Sequence, residues 1–253
     1  MKHLFIAAVG LMGLCGHAQV TELRPFKQVT ALEVSNGIEV IYTQSDSGEV
    51  KAESDSREHL KNVITEYKGN TLKVYMKDTE GANIATTARV YVSQKDVNNF
   101  KAYNAAVIKV SGVLTTTNIT LNLSQGATFG AIVVTAGNCS IDAKSGAGFT
   151  GKVTAKTFKA DITNGSYVKI LGNSDVADVY CSSGASFNAD KFMCSTADVW
   201  AKNASSVSIH SINYIKTKVD ISSSVTYTGT PANTNLGMNT YAIKRDIGNL
   251  IPN

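Results

Sequence analysis

From Phe100 to Tyr227 the chain repeats one pattern of apolar and polar positions. The template is an apolar residue, an outward residue, an apolar residue, two polar residues and a small corner. An apolar or aromatic residue follows three positions after the corner. The clearest copies are Leu121-Asn122-Leu123 before Gly126, with Phe129 after it; Ile141-Asp142-Ala143 before Gly146, with Phe149; and Ala160-Asp161-Ile162 before Gly165, with Val168. Three more follow: Val179-Tyr180-Cys181 before Gly184, with Phe187; Val199-Trp200-Ala201 before Ala204, with Val207; and Val219-Asp220-Ile221 before Ser224, with Tyr227. These corners fall 20, 19, 19, 20 and 20 residues apart. A weaker copy, Phe100-Lys101-Ala102 before Ala105, extends the series upstream, and Leu32-Glu33-Val34 before Gly37 resembles an earlier coil.

Alternation at period two marks strands with one buried face. A return every 19–20 residues is too short for two packed helices and fits one turn of a parallel β-solenoid. A single coil cannot bury its inward residues, so stacking on neighbours completes both core and backbone ladder. The predicted fold is therefore all-β, a parallel β-helix built as a single-stranded solenoid, with Phe129, Phe149, Val168 and Phe187 piled along its interior. Gly and Ser at the corners admit the sharp bend, where positive φ is expected. A leucine-rich horseshoe has a similar period but needs recurring Leu and an Asn ladder, which are missing. A chance repeat in a β-sandwich is the alternative.

Residues 20–99 repeat less well and read as first coils plus a cap. Asp55-Ser56-Arg57-Glu58 resembles a capping box, with Leu60, Val63 and Ile64 at helical spacing, which predicts a short capping helix. Lys68-Gly69-Asn70 separates two expected strands, Val63–Tyr67 and Leu72–Met76. The tail from Pro231 to Asn253 is expected to fold back over the other end. Only three prolines occur, at positions 25, 231 and 252, so no proline breaks the repeats.

Met1-Lys2-His3 followed by the apolar run Leu4–Leu14, then Gly16-His17-Ala18, reads as a signal peptide of residues 1–18. The run is too short for a lasting membrane anchor. Cys15 raises a lipobox, but Leu14 stands where a small residue is wanted. Residues 19–253 then form one solenoid domain: irregular coils and cap over 19–99, regular repeats over 100–230 and a tail over 231–253. The expected setting is exported: periplasm, outer-membrane surface or extracellular. A net charge of +4 is too thin for nucleic-acid binding.

Export permits disulfides, yet Cys139, Cys181 and Cys194 are odd in number and sit in alternating stretches, as small buried hydrophobes do. No closely spaced Cys or His set suggests a metal, and no cofactor is expected. Gly146-Ala147-Gly148-Phe149-Thr150-Gly151-Lys152 matches a dinucleotide fingerprint, but that needs a helix to start there, and Val153–Phe158 reads as strand.

Phe26-Lys27-Gln28-Val29 leading into Val34-Ser35-Asn36-Gly37-Ile38-Glu39-Val40 resembles the opening of the head GIN domain, a family of exported Gram-negative proteins named as autotransporter adhesins. Gly69-Asn70-Thr71-Leu72-Lys73-Val74, the later corners and Tyr227-Thr228-Gly229 also resemble it. The resemblance runs from about Phe26 to Gly229. It implies an exported right-handed β-helix and brings no catalytic residues. No room follows the repeats for a C-terminal translocator barrel, so autotransport in the literal sense is not expected.

In a solenoid, sequence offsets become columns. The outward position four before each corner reads Asn122, Asp142, Asp161, Tyr180, Trp200, Asp220; two positions earlier it reads Thr120, Ser140, Lys159, Asp178, Asp198, Lys218. Tyr180 and Trp200 are thus expected to stack on adjacent rungs amid Asp161, Asp178, Asp198 and Asp220. Aromatic surface flanked by carboxylates suits a sugar's apolar face and hydroxyls, while an aromatic ladder that only steadies the stack is the plainer reading. Asp178 and Asp198 should repel, with solvation or a bound cation to relieve them. The function predicted is a non-catalytic, adhesin-like binding or structural module of the envelope. Its partner is a cell-surface glycan, an envelope protein or a second copy. The alternative is a glycan-binding or glycan-cleaving protein, because adjacent-rung aspartates approach the spacing of retaining glycosidases. Short coils leave little sequence for a cleft wall.

Overall fold

The computed structural model describes residues 19–77 and 88–246. The expected leader, residues 1–18 with Cys15, lies outside the described residues. The N-terminal elements are β1 (Val20–Arg24), β2 (Ala31–Ser35), β3 (Glu39–Thr43), β4 (Glu49–Ser54), α1 (Arg57–Lys61), β5 (Val63–Lys68), β6 (Thr71–Met76) and β7 (Arg89–Ser93). The repeats supply β8 (Asn99–Tyr103), β9 (Val107–Thr116), β10 (Ile119–Ser124), β11 (Thr128–Thr135) and β12 (Asn138–Lys144). The long strands β13 (Gly148–Thr163), β14 (Tyr167–Ser182), β15 (Ser186–Lys202) and β16 (Ser206–Val219) follow, then β17 (Ser224–Thr228), β18 (Asn233–Asn235) and β19 (Ile243–Arg245). Stacked parallel strands make a β-solenoid of about seven turns. The fingerprint-like segment at Gly148 opens β13, not a helix.

The interior is the predicted pile. Phe129, Phe149, Val168, Phe187, Val207 and Val225 are consecutive partners across the rungs, all buried. Phe129 and Phe149 stack with centroids 5.9 Å apart, and Phe100 and Tyr42 extend the aromatic run edge-to-face at 5.1 and 5.3 Å. At each corner from Asn104 to Ala204 two successive residues take positive φ, for example Ser145 at 57° and Gly146 at 75°. The first place is held mostly by Asn or Ser; Asn bears this conformation better than most side chains, and Gly bears it freely in the second. Cys139, Cys181 and Cys194 are buried free thiols. Burial pushes each up to about 12, which leaves them protonated and inert.

Coil order departs from chain order at the N-terminal end. The first coil, β2–β3, is not terminal: β2 pairs in parallel with both β6 and β8, and β3 with both β7 and β9. The chain starts one coil in, runs outward to build β6–β7, then returns to begin the regular repeats. Antiparallel strands cover that end, β5 on β6, β4 on β7 and β1 on β4, so a row of open backbone groups is not left to template aggregation. The capping helix is a single turn. Ser56 Oγ accepts from the His59 amide and Asn62 closes the turn, so Val63 enters β5. Nor does the described part of the tail, to Asp246, fold back: β18 and β19 pair in parallel with β16 and β17, continuing the winding.

Charge supports the inserted coil. Glu33 on β2 lies between Lys73 on β6 and Lys101 on β8, with N···O distances of 3.2 and 3.5 Å, and accepts from the Tyr103 hydroxyl at 3.1 Å. Partial burial pushes its carboxyl up, but the bonds from Lys73 and Tyr103 and the charge of Lys101 outweigh this and leave it below the ordinary 4.5. A carboxylate lowered in the folded state stabilises fully above its unfolded value and loses that contribution as pH falls through its folded one. The thermal midpoint of the protein should therefore drop as pH falls below about 4.5, with a shallower drop in Glu33→Gln. Identical profiles would remove Glu33 from the account.

Candidate functional site

Tyr180 and Trp200 are partners on adjacent rungs, as are Asp178 and Asp198. The four line one groove of about 430 Å³ with Lys216, Lys218 and, from the tail, Asn235 and Gly237. The rings do not stack flat: their centroids lie 5.4 Å apart at 87°, so Tyr180 meets Trp200 edge-to-face. Trp200 is 43% exposed. Asp161 is the partner of Tyr180 and continues the column towards Asp142. Burial, followed by the neighbouring Asp142 charge, pushes the Asp161 carboxyl up.

Asp220 is not in this column. Trp200 pairs with Lys218, and Asp198 with Lys216. The last regular coil is two residues shorter than the template implies: Ser206 pairs with Ser224 and Val207 with Val225. The corner facing Ala204 is therefore at Ser222, whose Oγ accepts from the Ala204 amide. Three consecutive serines, 222 to 224, offer equivalent small corners, and the sequence template settles on the wrong one. Asp220 turns instead to the corner, where its carboxylate accepts from the Asn203 amide at 2.6 Å and the Ser222 amide at 3.0 Å. The Asn203 amide first, then Ser223 and Ser222, hold it down at about 2. It is a structural cap.

Three lysines stand at the site, two of them brought there by the corrected register. Lys216 Nζ lies 2.7 Å from Asp198, an ion pair that offsets the repulsion expected between Asp178 and Asp198. Lys202 sits 5.2 Å from the Tyr180 centroid and 5.1 Å from that of Trp200, and Lys218 lies 4.8 Å from Trp200. Lys202 was within reach of sequence reasoning, being two residues beyond Trp200 on the same face. Lys216 and Lys218 were displaced by the two-residue slip, and the wall from Asn235 and Gly237 depended on the tail winding onward. Among the described residues no group of three or more His, Cys, Asp or Glu is arranged to hold a metal. No helix there is long and apolar enough to cross a membrane.

Among solved structures, the chain is similar to a "putative adhesin" of Parabacteroides merdae at 16% identity, covering 90% of this chain and 93% of that one, with a TM-score of 0.76. A "putative adhesin" of Parabacteroides distasonis is 18% identical over 90% and 94% of the two chains, with a TM-score of 0.76. A "Putative lipid binding protein" of the same species is 13% identical over 90% and 94%, with a TM-score of 0.72. At such identities the likeness speaks for the fold alone. No curated protein matches the chain. The family model described as "Putative auto-transporter adhesin, head GIN domain" matches residues 28–231. That span takes in the inserted coil and every regular repeat, and the chain accordingly belongs to the head GIN domain family of adhesin-like proteins.

Proposed function

We propose that the chain is an exported, non-catalytic binding module of the cell envelope and that the Trp200 groove is its contact site for a saccharide. In this reading residues 1–18 are a leader removed on export, and the rest acts as one unit. The observation that carries it is the half-exposed indole of Trp200 set in a groove rimmed by Asp178, Asp198, Lys216 and Asn235. An indole offers a pyranose ring an apolar surface, while carboxylate, ammonium and amide groups around it can take up the hydroxyls. Glycan cleavage is less well supported. It asks for two carboxylates acting across one bond, and Asp198 is already engaged by Lys216.

Trp200 is the chain's one tryptophan, so its fluorescence reports on this groove directly. Titration with oligosaccharides chosen from a glycan array should shift its emission saturably, and calorimetry should show binding lost in Trp200→Ala. An array without signal, or binding unchanged in that variant, would refute the saccharide site. Polysaccharide turnover that disappears in Asp178→Asn would replace the binding role with an enzymatic one.

A further inference from the structure

A different stretch of each coil carries outward side chains that the core does not need. Cross-rung pairing aligns Val113, Ile132, Lys152, Leu171 and Lys191 in one outward column. Val134 and Met193 lie in the next column, two positions on, with Thr154 and Asn173 between them. Val113, Ile132, Val134, Leu171 and Met193 are each 38–49% exposed. The residues interleaved with them, Leu114, Val133, Val153 and Phe192, are fully buried and already fill the interior.

Beside Leu171 a hollow of about 390 Å³ opens between Lys169 and Lys191. Gly151 lines it, and a Cβ there would collide with the Ala131 carbonyl oxygen. An irregularity in pairing between Lys169 and Leu171 places Ala189 and Asp190 opposite Ile170. Asp190 is the single acid on the hollow's wall. Among the described residues, no carboxylate lies within 4.0 Å of the ammonium groups of Lys152, Lys169 or Lys191.

Half-exposed aliphatic side chains favour an apolar medium, and unpaired ammonium groups beside them favour anions. We propose that this face seats the protein on a lipid bilayer carrying anionic headgroups. Ile132, Leu171 and Met193 enter the boundary between headgroups and acyl chains, and Lys152, Lys169 and Lys191 meet the headgroup phosphates. Charge favours this occupant over a second copy of the chain, since two such faces would set lysines against lysines. The proposal does not depend on what the Trp200 groove binds.

The test is sedimentation of the processed protein, purified from the periplasm of an expression host, with vesicles of phosphatidylcholine alone or with phosphatidylglycerol. Partition onto the phosphatidylglycerol vesicles is expected, weakening at high salt. Lys169→Gln and Lys191→Gln should each lower the partition coefficient about fivefold. Leu171→Asp should lower it further, and Trp200→Ala should leave it unchanged. The lysine variants sit at exposed positions, so they keep the test decisive even if Leu171→Asp folds poorly. Absence of the protein from phosphatidylglycerol pellets, or equal pelleting by the lysine variants, would overturn the proposal. A dimer in vesicle-free solution that Leu171→Asp dissociates would also overturn it, assigning the face to a second copy.

Discussion

Phe149→Ala is expected to destabilise the protein by about 3–5 kcal/mol, the usual cost of cutting a buried phenylalanine back to its Cβ. Phe149 has no solvent exposure, stacks on Phe129 and has Val168 as its partner on the next rung. The gap it would leave cannot easily close. β13 is hydrogen-bonded to β11 on one side and β14 on the other, so inward collapse would break two ladders to repack one side chain. Because each coil is stabilised chiefly by its neighbours, a weak rung in the middle also lowers the coupling between the coils on either side. Urea unfolding followed by circular dichroism should show the midpoint falling well below that of the parent, with a second, lower transition if the two halves uncouple. A loss under about 1 kcal/mol would mean the aromatic pile is not a principal support of the fold.

Phe149 was legible in the sequence because the regular coils carry their inward residues at fixed offsets from the corner. The pile from Phe129 to Val207 follows from those offsets alone. Two kinds of feature left no such mark. One is a change in coil length, which the chain makes between Ile209 and Tyr214, where its pairing with β15 is irregular. The alternating signal resumes beyond it, yet every later outward residue is shifted by two, exchanging Asp220 for Lys218 beside Trp200. The site therefore carries more positive charge than the columns implied. The other is the order of the first coils. Pairing of β2 with β8 joins residues 68 apart, and no local periodicity records a partner at that separation. What the sequence does hold is the complementary charge: Glu33 on the inserted strand, Lys73 and Lys101 on its two neighbours. That pattern has meaning only once the neighbours are known.

The inserted coil sets an asymmetry between the two ends of the solenoid that proline can expose. A strand with partners on both sides sends alternate N–H groups to each, so β2 has no position where the donor is dispensable. Glu33→Pro should therefore cost about 3 kcal/mol or more: the Ala31 amide donates to the Asn70 carbonyl beside β6, so by alternation the Glu33 N–H also faces β6 in the outer coil. β19 is different. Among the described residues it pairs with β17 alone. The Asp246 amide donates to the Tyr227 carbonyl, so by alternation the Arg245 N–H points away from β17. Arg245→Pro gives up no ladder bond, only the side-chain bond from Arg245 Nε to the Gly229 carbonyl, and should cost no more than about 1 kcal/mol. Soluble yield and urea midpoints of the two variants measure the difference. If β2 were a terminal rung, as in a solenoid wound in chain order, the Glu33 N–H would face outward and proline would be tolerated about equally at the two sites. A collapse confined to Glu33→Pro is the outcome that a coil held between two others requires.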